Sequence, residues 1–126
     1  MQLTKEERAK LAENLSVINE YITKEIIPHL EGSYISVPFK PKKLGFHDQN
    51  ETEFRLCVDR HGVTGSCGYL GMNLVPNPEE PNATTFSSYS SAGIALLENW
   101  PMVKDTLLKH VEAVREQKSL IQNFAV

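Results

Sequence analysis

Asn99-Trp100-Pro101-Met102-Val103-Lys104-Asp105-Thr106-Leu107-Leu108, with the residues onward to Phe124, reads as one long amphipathic helix with a marked start. Asn99 is a strong N-cap type, because its side-chain oxygen can accept from the free amides of a first turn. Pro101 is tolerated there because that turn needs no intrahelical donor. Val103, Leu107, Val111, Val114 and Ile121 then follow one face, with Leu108, Leu120 and Phe124 beside it. Lys104, Asp105, Lys109, Arg115 and Glu116 turn mostly away, as the 3.6-residue period of a half-buried helix requires.

A second helix stands at the other end of the chain. Thr4-Lys5-Glu6-Glu7 has the capping-box form, in which the Thr4 hydroxyl and the Glu7 carboxylate each take a backbone amide at the helix start. Leu11, Leu15, Ile18, Ile22 and Ile26 give its apolar face, and Glu6 with Lys10 and Glu20 with Lys24 stand at the i, i+4 spacing of supporting ion pairs. Pro28 and Gly32 place its end near Ile27.

Between the helices the period changes to two. Ser33 to Phe39 alternates Ile35, Val37 and Phe39 against Tyr34 and Ser36, and Phe54, Leu56 and Val58 alternate against Arg55, Cys57 and Asp59. His61-Gly62 marks a turn, and a third strand falls within Val63 to Val75, interrupted by Gly65, Gly68 and Gly71. Pro76-Asn77-Pro78-Glu79-Glu80-Pro81-Asn82 can only be a loop, since its prolines remove ladder donors. Ala83 to Tyr89 is a candidate short fourth strand, and Ser90 or Ser91 can cap a short helix over Ala92, Ile94, Leu96 and Leu97 that ends where Asn99 begins the last one. The order predicts a single α+β domain over residues 1–126. Its long N-terminal and C-terminal helices pack on one face of a three- to four-stranded antiparallel sheet.

The composition narrows the chemistry. With 13 basic and 16 acidic residues the formal charge is −3, which gives no general attraction to the phosphates of nucleic acid or to an anionic membrane. No run approaches the roughly 18 apolar residues of a membrane span, and the start of the chain lacks the apolar core of a signal peptide. A cytoplasmic protein is therefore expected, with Cys57 and Cys67 as thiols.

His47, Cys57, His61 and Cys67 include the residue types of a zinc set, but they form no Cys-x-x-Cys or His-x-x-x-His pair, so no metal or other cofactor is expected. Cys67, in Gly65-Ser66-Cys67-Gly68, has no base or orienting group beside it in sequence. Ser90, Ser91 and Gly93 form a candidate ligand site, where hydroxyls and free amides at a helix start could face a phosphate or carboxylate, with Lys42 or Lys43 as a helper. Trp100 and Tyr34 are candidate interface residues: an aromatic beside the helix start, and an aromatic on the outer sheet face.

Length gives the functional argument. Two terminal helices of some 22 residues run about 33 Å each, whereas a strand of six or seven residues spans about 20 Å. The excess must be covered by the other helix or by another chain, so a homo-oligomer and a different protein partner are both open.

The end of the chain, Leu97-Glu98-Asn99-Trp100-Pro101-Met102-Val103-Lys104 through Ile121-Gln122-Asn123-Phe124-Ala125-Val126, resembles the termini of small accessory proteins encoded by bacterial phages and prophages. That resemblance implies a factor that acts by binding host or phage proteins, inhibitors of bacterial defence systems among them. A non-enzymatic, protein-binding accessory protein is thus the leading expectation, and a small anionic-ligand or nucleotide binder using Ser90 to Gly93 is the alternative.

Overall fold

A computed structural model describes residues 3–43 and 52–126. The fold is α+β, with two long helices and a four-stranded antiparallel sheet.

Helix α1 spans Lys5–Glu25 and opens with the complete capping box. The Thr4 amide donates to Glu7 Oε1 at 2.8 Å, and the Glu7 amide donates to Thr4 Oγ1 at 3.1 Å. The hydrogen bond from the Thr4 amide first, and the Thr4 hydroxyl second, hold the Glu7 carboxyl below its ordinary pKa. A carboxyl with a lowered folded-state pKa stabilises the fold above its unfolded value, and that contribution disappears as pH falls through the folded value. Thr4→Ala is therefore expected to cost about 1 kcal/mol at neutral pH. In an NMR titration the Glu7 pKa should rise only part of the way to its ordinary value, because the backbone amide at position 4 still donates to the carboxylate.

On the exposed face, Lys24 pairs with Glu20, whereas Lys10 takes Glu13 rather than Glu6. The helix stops at Glu25, and Ile27–His29, with Pro28 inside it, tightens into a single 3-10 turn. Glu31 and Gly32 then turn the chain through φ of +52° and +82°.

The strands are β1 (Ile35–Phe39), β2 (Phe54–Asp59), β3 (Gly62–Cys67) and β4 (Leu70–Asn73), paired in sequence order. The stretch read as one interrupted third strand is a hairpin. Cys67 pairs with Leu70 across the two-residue turn Gly68-Tyr69, where Gly68 supplies φ of +60°. Alternation puts Val37, Leu56, Gly65 and Met72 in one row across the buried face, flanked by Phe39, Phe54, Val58 and Val63. Ala83 to Tyr89 does not form the expected fourth strand. Only Thr85 reaches the sheet edge, in a single parallel bridge to Asn73, because Phe86 leaves the edge to enter the core with no side-chain exposure.

The largest departure from the sequence expectation is helix α2, which runs unbroken from Ser90 to Asn123 with Pro101 inside it. Asn99 is not an N-cap. It is 7% exposed in the helix interior, and its Nδ2 donates to Ala95 O and to Lys40 O, both at 2.7 Å. The stripe Ala92, Ala95, Leu96, Asn99, Val103, Leu107 and Val111 is continuous and buried. Burying it as one face outweighs the roughly 3 kcal/mol that an interior proline costs.

The two helices advance together. Leu11 and Leu15 meet α2 at Gly93, Tyr21 meets Trp100 and Lys104, and Glu31, beyond α1, pairs with Lys118. They therefore run in the same direction. Strand β1 returns against α2, with Ser33 Oγ 3.0 Å from His110 Nε2 and Lys40 O on Asn99. Residues of both helices and all four strands join one hydrophobic core.

Candidate functional site

The contacts just described end partway along α2. Val111 is its last buried residue and Val114 is half-buried, and the Lys118–Glu31 ion pair at 3.0 Å ties the next turn to the body. With 34 residues α2 is about 51 Å long, and the part from Val111 to Asn123 extends about 18 Å beyond its buried stripe. Its end carries Leu120 at 62%, Ile121 at 82% and Phe124 at 70% exposure. Leu120 and Phe124 stand one turn apart on one side of the helix with Ile121 next to them, so the three form one apolar surface. The sequence period puts Ile121 on the apolar face with Leu120 and Phe124 beside it, and the body of the protein stops short of all three.

Trp100 is half-buried and packs edge-on against Tyr21 of α1, with ring centroids 5.6 Å apart, while Lys104 Nζ lies 4.9 Å from the centre of the Tyr21 ring. Its visible role is to join the two helices. Tyr34, 76% exposed, stands just before β1 and far along the chain from Trp100.

The turn that precedes α2 is held by Thr85 and Ser88, not by Ser90 or Ser91. Thr85 and Ser88 bond reciprocally, the Thr85 amide to Ser88 Oγ at 2.9 Å and the Ser88 amide to Thr85 Oγ1 at 3.1 Å. Tyr89, the N-cap residue, gives no side-chain cap, and Ser90 and Ser91 are half-buried in the first turn. Gly93 is buried between chains of packing: a Cβ there would lie 2.5 Å from Phe86 O and 3.2 Å from a methyl of each of Leu11 and Leu15. Its lack of a side chain admits the neighbouring backbone and α1, which explains the glycine without a ligand. Lys42 lies away from this turn, its amide donating to Glu98 Oε1 at 3.1 Å, about 12 Å along the helix from Ser90. Gly93→Ala should therefore destabilise the protein by a net 1–2 kcal/mol or so, the overpacking exceeding the roughly 1 kcal/mol that alanine gains over glycine in a helix. Urea unfolding of the ligand-free protein measures it.

The cysteines do not converge. Cys57 lies on the outer sheet face, its Sγ 3.6 Å from Ser36 Oγ, whereas Cys67 alternates to the inner face and packs against the core. His61 sits in the β2–β3 turn, where its amide donates to Asp59 Oδ1 at 2.7 Å and its Nε2 accepts from Arg60 Nε at 3.3 Å. His47 lies outside the described residues. Among the described residues no group of three or more His, Cys, Asp or Glu side chains could hold a metal ion.

The side chains with displaced titration among the described residues are Glu7, Glu20 and Lys24. All are solvent-exposed helix groups held by a neighbour one turn away, the Glu20 carboxyl lowered and the Lys24 amine raised by their mutual hydrogen bond. None of them lines a cleft of the kind that tunes a catalytic acid or base.

No described helix is long and apolar enough to cross a membrane. Compared with protein-family models, with curated proteins and with solved structures, the chain matches none.

Proposed function

We propose that this is a non-enzymatic, protein-binding accessory protein that engages its partner through the projecting end of α2. The observation that supports the reading most is the surface of Leu120, Ile121 and the C-cap residue Phe124, 62–82% exposed at the end of α2. Isolated apolar side chains are common on surfaces, but three large ones sharing one side of a projecting helix match the anchors of helix-in-groove recognition. The apolar stripe is used twice in this reading. Its first half is covered by α1 and the sheet, both helices lying on the one buried sheet face, and its second half is left for another chain. A phage- or prophage-encoded factor that binds a host protein, a defence protein among the possibilities, fits the resemblance of the same segment.

The test uses Ile121→Glu with Phe124→Glu. Both sites are exposed, so stability should stay within about 0.5 kcal/mol of wild type. Wild-type protein immobilised in a bacterial lysate should retain a partner that the double variant loses, or should self-associate by light scattering where the variant is monomeric. A wild-type monomer that retains nothing, or a variant that retains the same proteins, overturns the reading.

A further inference from the structure

The open side of α2 is longer than its tip. Leu120 stands about five turns after Met102, and the C-cap residue Phe124 about five turns after Thr106, so the four share one side of the helix with Ala113 between them. Met102 is 42% exposed, Leu120 62% and Phe124 70%, while Ala113 is exposed and Thr106 half-buried. The Thr106 hydroxyl is satisfied within the helix, donating to Met102 O at 2.9 Å, which leaves its methyl group for packing.

The spacing of these side chains selects the partner. From Ala113 the next members stand seven residues away on each side, at Thr106 and Leu120, and the outermost stand four residues beyond those, at Met102 and Phe124. The spacing is therefore the same in both directions. A two-fold contact between identical chains requires that property, because each residue on one side of the axis must meet its counterpart on the other. We propose that the partner at this site is a second copy of the chain, its α2 lying antiparallel to the first with the two-fold axis at Ala113. Met102 then meets the partner's Phe124, Thr106 meets the partner's Leu120, and each contact is made twice. The small side chain of Ala113 sits at the crossing, where the helices come closest, and the thioether of Met102 suits an aromatic ring. This inference rests on the reading that the end of α2 is a binding surface, and names its occupant.

Charge sets the direction. Lys109 and Glu116 border the stripe on the same side, so an antiparallel copy brings the partner's Glu116 opposite Lys109. Lys109 already pairs with Asp105 at 3.0 Å, but its ammonium has further protons to donate. A parallel copy would set Lys109 against the partner's His110, without that attraction. The seam runs about 33 Å along both helices, which approaches the roughly 1,200 Å² at which stable interfaces begin, whereas the tip alone falls far short. Val111, the last buried residue, lies short of the axis, so the two bodies stand toward opposite ends of the pair. The Lys118–Glu31 contact is about 140° round the helix from Ala113 and clear of the seam.

Light scattering of the wild-type protein should show a dimer with a dissociation constant on the order of 10 μM. Lys109→Glu should weaken it about tenfold, because both symmetric pairs turn repulsive, and adding Glu116→Lys to the same chain should restore it. Both sites are exposed, so neither change threatens the fold. Orientation is read by mixing Thr106→Cys protein with Leu120→Cys protein, adding a short thiol-specific cross-linker, and identifying the joined peptides by mass spectrometry, which keeps Cys57 and Cys67 out of the result. Joining of position 106 to position 120 is expected. Joining of 120 to 120 alone marks a parallel pair and overturns the proposal, as does a dimer that Lys109→Glu leaves unweakened. A monomer at about ten times the expected dissociation constant overturns it too. Lysate capture then separates the two claims. A monomer that retains a partner lost with Ile121→Glu and Phe124→Glu keeps the binding surface and loses only the second copy, whereas a monomer that retains nothing loses both.

Discussion

Phe86→Ala should lower the unfolding free energy by about 3–5 kcal/mol. Phe86 has no exposed surface, and its ring stands 6.5 Å, centre to centre, from that of Phe39, which in turn packs against Phe54 at 5.9 Å. The chain leaves β4 at Asn73, travels through the proline-rich loop, and returns to the same residue through the Asn73–Thr85 bridge, after which Phe86 drops into the core. The backbone on either side is fixed by hydrogen bonds to Asn73 and by the Thr85–Ser88 cap, so a neighbour cannot easily collapse into the space left by the ring. That rigidity puts the cost in the upper half of the range for aromatic truncation. Urea unfolding should show a lowered midpoint with an unchanged slope. Phe86→Leu, which retains most of the volume, should recover more than half of the loss.

How much of this could be read from the residues follows from the range over which each signal acts. The capping box at Thr4, the stop at Pro28, and the alternation of β1 and β2 are decided within a few positions, and they stand where the sequence places them. The misread elements are those decided by distant contacts. Asn99 followed by Pro101 is a sound local start signal, yet Lys40 O, nearly sixty positions away, takes the Asn99 side chain into the interior and lets α2 continue. Gly65, Gly68 and Gly71 look alike in a sequence, but Gly68 makes a turn while Gly65 makes room for an aromatic ring. The candidate sites divide in the same way. The apolar positions lapse over Arg115-Glu116-Gln117-Lys118-Ser119 and return at Leu120 and Ile121, so the residues do not by themselves place the end of cover at Val111.

Gly65→Ala should destabilise the protein by about 3 kcal/mol, although in an ordinary strand the same change is mildly favourable. The added Cβ would lie 2.3 and 2.4 Å from Cζ and Cε1 of Phe86 and 2.7 Å from the Arg55 carbonyl oxygen. Neither obstacle yields cheaply. The ring is enclosed on every side, and the carbonyl belongs to the central strand β2, paired on both edges. The two obstacles can be separated by a double-mutant cycle with Phe86→Ala. If the ring is the main one, Gly65→Ala in the truncated background should cost only about 1 kcal/mol, the remainder from the carbonyl, leaving a coupling of about 2 kcal/mol between the sites. Additive losses would mean that the ring does not sit over Gly65, and the account of how the returning chain is anchored would then fail. A strong coupling, by contrast, ties the glycine in β3 to the aromatic that follows the bridge. The anchoring of the segment between β4 and α2 would then be a matched pair of residues, one deleted to nothing and one as large as the space allows.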